Sequence, residues 1–255
     1  MNGPRPPVII IGMHRSGTSM VTRALEQLGL FVGWRKDDNN EALFFFRLNE
    51  WMFRQAGASW DRPGPFAAVF GDETMIAMLT RALDEALSGG RGIEFWGARG
   101  LLRFARRFET HRPWGWKDPR NTITLPIWLR LFPSAKVVHV RRHGLDVAAS
   151  LVSRNTAIAR KRRGQRLCMP FPLLQMRRLW VSPHVNSIEG GLQLWDEYMR
   201  AAEMHAHQLG SRVIDLKYED FLAEPEATLG RLAEFCDLTR DDDTISRVAA
   251  ALRVG

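Results

Sequence analysis

Cysteine is scarce in this chain: Cys168 and Cys236 are the only two among 255 residues. One pair cannot build the disulfide framework of a small secreted domain, and no His/Cys spacing of a metal site occurs. A reducing cytoplasm is the simplest setting. Long apolar runs are missing too. None approaches the roughly eighteen residues of a transmembrane helix. The apolar run after the Pro-rich start, Val8 to Ile11, is too short for the core of a signal peptide. No internal repeat or low-complexity tract appears. Acid is absent over one long stretch, with no Asp or Glu between Asp146 and Glu189. Tyrosine is nearly absent, with two residues, Tyr198 and Tyr218.

What is present is an ordinary globular composition, 45% hydrophobic and 25% charged, with a net charge of +8. That balance favours anionic partners: nucleic acid, a membrane surface or a polyanionic small molecule. The length suits a single large α/β domain with a substantial core.

Val8-Ile-Ile-Ile11 is a β-branched run between prolines and Gly12, a strand buried on both faces. Thr18 to Leu28 follows as a helix closed by Gly29. Helices are expected over Asn40 to Gln55 and Thr74 to Leu87, with a Pro/Gly loop from Asp61 to Gly71. Trp114-Gly-Trp116 is a short strand and Lys117-Asp-Pro-Arg120 its exit turn. A helix over Thr122 to Leu131 leads to a second clear strand, Lys136 to Val140, and a helix from Leu145 to Val152. Arg154 to Trp180 is rich in arginine and reads as an excursion from the sheet. Glu189 to Leu209 is a long amphipathic helix, Arg212 to Leu216 a strand and Pro225 to Phe235 a helix. The expected fold is α/β: three layers, a mostly parallel central sheet flanked by helices, P-loop NTPase-like. Residues 1–255 read as one domain, with insertions around 35–110 and a basic cap around 154–188. The loops at 12–19, 117–120 and 141–150 would then gather beyond the carboxyl ends of the strands.

Gly12-Met-His-Arg-Ser-Gly-Thr-Ser19 has the glycine spacing of a Walker A loop, with Thr18 where the lysine should be. Glycines and successive N–H groups at a helix N-terminus still make an anion cradle. Arg15, inside the loop, supplies the cation. A nucleoside triphosphatase needs that lysine and a metal-bound hydroxyl, so this loop suits a phosphate without that metal arrangement. The second motif is Lys136-Val-Val-His-Val-Arg-Arg-His-Gly-Leu-Asp-Val-Ala-Ala-Ser150. A buried strand delivers Arg142, and the following helix carries Ser150 near the strand end, a guanidinium and a hydroxyl suited to phosphate.

Together these segments resemble the sulfotransferase family. Arg15-Ser-Gly-Thr-Ser19 is similar to its 5′-phosphosulfate loop, in the form seen in the bacterial branch and in the carbohydrate and tyrosylprotein enzymes. The resemblance implies transfer of a sulfuryl group from 3′-phosphoadenosine 5′-phosphosulfate, without a metal, leaving adenosine 3′,5′-bisphosphate. It implies that Gly12, His14, Arg15, Ser16, Gly17, Thr18 and Ser19 hold the phosphosulfate, and that Arg142 and Ser150 hold the 3′-phosphate. Leu216-Lys-Tyr-Glu-Asp-Phe-Leu-Ala-Glu-Pro225 is similar to a further family segment, which places Tyr218 near the adenine.

For the chemistry, Arg15 is placed to stabilise charge on the donor. A Lys-Asp-Pro like that of Lys117 occurs in the tyrosylprotein branch, where the lysine assists the leaving phosphate. A base is needed for the acceptor. By its distance past Arg15, Glu41 is the family's candidate; Glu50, His14 and His111 stay open. The basic stretch 154–180 suits a cap over cofactor or substrate, an apolar or amphipathic acceptor, or peripheral contact with a membrane surface. Nothing from Leu238 to Gly255 matches the Gly-rich basic segment with which many sulfotransferases close over the nucleotide. The expected partners are a small-molecule or carbohydrate acceptor and no nucleic acid. Two other readings compete: a P-loop kinase of small molecules, which predicts Mg²⁺ dependence, and a non-catalytic nucleic-acid or anion-binding protein, which predicts salt-sensitive binding.

Overall fold

The computed structural model describes residues 3–103, 108–163 and 181–254. Four strands, β1 (Val8–Gly12), β2 (Gly115–Lys117), β3 (Lys136–Arg141) and β4 (Val213–Lys217), form one sheet in the order β2-β1-β3-β4. All three pairings are parallel. The expected α/β architecture is thus present. The β-branched centre of β1 is buried on both faces because each face carries a core.

The alternation along β1 and β3 assigns those cores. Ile9, Ile11 and Val137 join an aromatic core with Phe45, Trp116 and Trp128. Val8, Ile10, Val138 and Val140 face an aliphatic core with Val21, Leu25, Phe221 and Leu229. The aromatic side is covered by α2 (Leu43–Gln55), α3 (Glu73–Ser88), α4 (Ile93–Arg103) and α5 (Asn121–Leu131). Phe45 and Trp116 stack there with centroids 3.9 Å apart. The aliphatic side is covered by α1 (Thr18–Gln27), α8 (Tyr218–Ala223), α9 (Pro225–Phe235) and α10 (Asp242–Val254). Helices α6 (Gly144–Arg163) and α7 (Ile188–Leu209) pack together and enclose Val147, Leu151, Leu194 and Tyr198 in a third, smaller core beside Met13.

Three expectations change. The Pro/Gly stretch after Asp61 is not open loop: Gly64–Gly71 is a 3₁₀ helix whose Phe66 and Val69 are buried. The first-turn Pro65 suits it, since a helix start needs no N–H there. The helix after Gly144 does not stop at Val152 but continues to Arg163. Arg154 therefore sits on a packed helix and not on an excursion, while residues 164–180 of the expected cap lie outside the described residues. Helix α2 starts at Leu43, which leaves Glu41 in the preceding turn beside Asn40, whose φ is +60°.

Because the strands are parallel, Gly12, Lys117, Arg141 and Lys217 all end at one edge of the sheet. The segments that follow them build the site. His111 precedes β2, so it lies toward the opposite edge and is removed as a candidate base.

Candidate active site

The phosphate loop is held from below. Gly12 N–H donates to Thr122 Oγ1 at 3.0 Å, and the Ser16 hydroxyl, fully buried, donates to the Met13 carbonyl at 2.7 Å. Ser16 is thus a tether of the loop, and its side chain is not free for a ligand. A Cβ at Gly12 would stand 2.3 Å from the Val140 carbonyl oxygen. At Gly17, with φ +92°, it would stand 2.1 Å from the Tyr218 ring. Both positions therefore require glycine. No side chain caps α1, so its leading N–H groups and positive dipole end face the cavity above. Thr18 is buried, and Ser19 donates to the Asn39 carbonyl at 2.8 Å. Arg15 adopts φ +71° and places Nε 2.8 Å from Ser150 Oγ. Cation and hydroxyl, one from each motif, are in direct contact.

Arg142, just past β3, lies with its guanidinium 5.1 Å from the Tyr218 ring centroid. Asp146 approaches one end of that guanidinium at 3.5 Å, while Nε is enclosed and, among the described residues, has no hydrogen-bond partner. Tyr218 opens α8, and its ring lies directly over Gly17. One cavity of about 230 Å³ joins Arg15, Arg142, Lys117 and Tyr218. It also takes in Arg23 and Arg154, which the motif reading did not single out. Arg23 could have been found by helical spacing, since it lies one turn beyond Ser19 on the same face of α1. Arg154 could have been found likewise, four residues after Ser150 on α6.

Beside the loop lies a buried ionic cluster. Lys117 Nζ donates to Glu41 Oε1 at 3.0 Å, and both side chains are at most 5% exposed. Arg120 Nε donates to Asp118 Oδ1 at 2.9 Å, and its Nη2 stands 3.5 Å from Glu41 Oε2. Burial raises the Glu41 carboxyl to about 7, Lys117 pulls it down, and Asp118 pushes it up. A carboxyl that titrates near neutrality is suited to accept a proton. His14 meets the Trp60 ring edge-on at 4.9 Å. Burial, then the charges of Arg120, Arg154, Lys117 and Arg15, hold it well below the ordinary histidine range, so it is neutral. Glu50 is apart from this cluster: it pairs with Arg54 at 3.3 Å and lines a neighbouring cavity.

The cluster is fixed from beneath by Asn49 of α2. Its amide donates to Asp118 Oδ2 at 2.9 Å and Asn121 Oδ1 at 2.7 Å. Its carbonyl accepts from Thr124 Oγ1 at 2.8 Å and Trp128 Nε1 at 2.9 Å. Four buried groups thus set where the Lys117–Arg120 turn stands. Sequence reading missed Asn49, because nothing local marks an asparagine in an aromatic helix as the centre of a network.

A four-stranded parallel sheet, a glycine-spaced loop at a helix N-terminus and a second arginine–serine motif at the same edge define an α/β protein with two groups of anion-suited residues side by side. The chain belongs to the sulfotransferase family, whose model matches residues 6–242. Its fold is similar to that of the sulfotransferase STF1 from Mycobacterium tuberculosis H37Rv, with a TM-score of 0.51 at 15% identity over 97% of this chain and 71% of that one. It is also similar to the sulfotransferase domain from the curacin biosynthetic pathway, with a TM-score of 0.52 at 17% identity over 94% and 77%. An uncharacterized protein of Aquifex aeolicus (strain VF5) is 31% identical over 127 residues, 49% of this chain and 14% of that protein. Among the described residues, no helix is long and apolar enough to cross a membrane.

Proposed function

We propose that the protein transfers a sulfuryl group from 3′-phosphoadenosine 5′-phosphosulfate to a hydroxyl or amine of a small-molecule or carbohydrate acceptor, and that residues 1–255 form one domain for this reaction. The observation that carries the reading is the meeting of two anion-binding motifs in one cavity beside the Lys117–Glu41 pair. The residues fit the donor on independent grounds. The loop offers uncapped helix amides, and Arg142 Nε is enclosed with no partner, a donor left for an anion.

In this reading the loop amides and Arg15 hold the 5′-phosphosulfate, Arg142 and Ser150 hold the 3′-phosphate, and the Tyr218 ring lies against the base. The donor supplies an activated sulfuryl group. Glu41 takes the proton from the acceptor hydroxyl or amine. Lys117, next to it, carries a positive charge to the oxygen that gains negative charge as the bond to sulfur breaks. Proton and charge thus pass through neighbouring groups of one buried pair. Arg15 leaves Ser150 or shares it when the phosphates are held. Incubation with ³⁵S-labelled donor and a panel of sugars, lipids and phenols tests the activity. Label moving into an acceptor without added metal is the expected result; transfer of phosphate from ATP-Mg²⁺ instead would refute it.

A further inference from the structure

Past His14 the cavity opens into a second chamber of about 180 Å³, bounded by Trp60, Arg120, Arg154, Phe46 and Glu41. Its polar groups fall into two sets. The carboxylates are engaged within the chain. Asp37 Oδ1 accepts from the backbone N–H groups of Asn39 at 2.9 Å and Glu41 at 2.7 Å, and Glu41 Oε1 is taken by Lys117. The donors are not. Arg120 is 5% exposed and lies 4.0 Å over the Phe46 ring, yet its Nη2 makes no hydrogen bond. Arg154, half-buried, faces the chamber from α6 with its guanidinium 5.6 Å from the Trp60 centroid, and Glu41 acts on it electrostatically from across the chamber. His14 Nε2 is enclosed and unpaired.

Desolvated donors without partners are costly. Two guanidinium groups with N–H capacity left over, Arg120 and Arg154, beside the unpaired His14 ring nitrogen make this small chamber complementary to an oxyanion, since guanidinium groups bind carboxylate and phosphate groups through paired N–H bonds. Glu41 borders both chambers, so a nucleophile held here would meet the base at its inner end. We propose that this chamber is the acceptor site and that it selects acceptors carrying an anionic group near the hydroxyl or amine to be sulfated. Arg154 determines that preference. The inference rests on the sulfotransferase reading.

The test measures binding to protein saturated with adenosine 3′,5′-bisphosphate, by saturation-transfer NMR. One set is galactose, galacturonate and galactose 6-phosphate; the other is 4-hydroxybenzamide and 4-hydroxybenzoate. Anionic members should bind at least about tenfold more tightly than their neutral partners, the scale of a charge-assisted hydrogen bond. The galacturonate and galactose 6-phosphate arms tell a carboxylate from a phosphate source. Arg154→Gln should erase the preference for the anionic member of each pair, and Arg154→Lys should keep part of it. Melting temperatures of both variants check that each is folded. Equal binding of neutral and anionic partners, no binding of any member, or a preference that survives Arg154→Gln overturns the inference. So does an equal loss for all members in the variant. Bisphosphate binding is measured first; its absence would sink the donor reading instead, and the acid preference would then be read on the nucleotide-free protein.

Discussion

Lys117 and Glu41, 76 positions apart in the chain, form a buried pair at 3.0 Å between the anion loop and the second chamber. The pair is held by the Lys-Asp-Pro-Arg turn on one side and by the turn before α2 on the other. A buried charge pair contributes little to stability on its own, because desolvation offsets attraction. In the proposed reaction its value is chemical: it would put a base and a cation within reach of the same reacting centre.

Glu41→Gln removes the base and should lower turnover by about 10²- to 10⁴-fold, with bisphosphate affinity retained. Steady-state kinetics and calorimetry on the same preparation separate the two effects. A variant with wild-type turnover would assign the proton to another group, and His14 would be next.

The pH dependence follows from the Glu41 carboxyl at about 7. The base acts when ionised, so kcat/KM should rise with pH through about 7 and level off above it. For stability the sign is opposite. The folded value is raised from 4.5 to about 7, so between those values the native protein holds a proton the unfolded chain has released. This contribution to stability is present below 4.5 and declines as pH climbs toward 7. A rate profile flat from pH 6 to 8 would contradict the assignment.

Gly17→Ala forces a Cβ to 2.1 Å from the Tyr218 ring at a φ of +92°. Bisphosphate binding should be lost, and the melting temperature should fall. Gly17→Ala with Tyr218→Ala relieves the clash but not the backbone strain, so the double variant should recover only part of the stability. Full recovery would show that the left-handed conformation carries no cost.

Asn49→Ala removes four buried hydrogen bonds: Asp118 Oδ2 and Trp128 Nε1 lose their partner, while Asn121 Oδ1 keeps Trp116 Nε1 and Thr124 keeps the Arg120 carbonyl. The expected loss is roughly 3–5 kcal/mol, since each unsatisfied buried group costs about 1–3 kcal/mol and some can relax. For a chain of this size that is a fall of roughly 10 °C in Tm, measured by calorimetry or circular dichroism. A fall of a degree or less would mean that the network is not what holds the Lys117 turn.

The fold was legible wherever local pattern and burial agree. The runs at Val8 and Lys136, the glycine stops and the long period of Glu189 to Leu209 all lead to the observed elements. The whole of α4 was missed because Gly97, with φ +72°, interrupts it and hides its period. Helix α8 is six residues long, too short to show a period beside β4. The site was legible as motifs: Arg15, Lys117, Glu41, Arg142 and Tyr218 line one cavity, and Ser150 bonds Arg15 at its side. What sequence could not convey is contact at a distance. The Arg15–Ser150 bond, the capture of the Ser16 side chain by the Met13 carbonyl, and the Asn49 network all depend on how the strands and helices stack. Trp60 carried no motif, and Arg120 was legible only as the end of the Lys117 turn, yet both wall the second chamber.

The proposed function requires both phosphate sites to belong to one nucleotide. The direct measurement is calorimetric titration of adenosine 3′,5′-bisphosphate, against ATP with Mg²⁺, into wild type and Arg142→Ala. One nucleotide spanning both sites should give tight binding of the bisphosphate, weaker binding of ATP-Mg²⁺, and about a 10- to 150-fold loss of bisphosphate affinity in Arg142→Ala, the range of a charged hydrogen bond. Preference for ATP-Mg²⁺, or bisphosphate binding indifferent to Arg142, would contradict it.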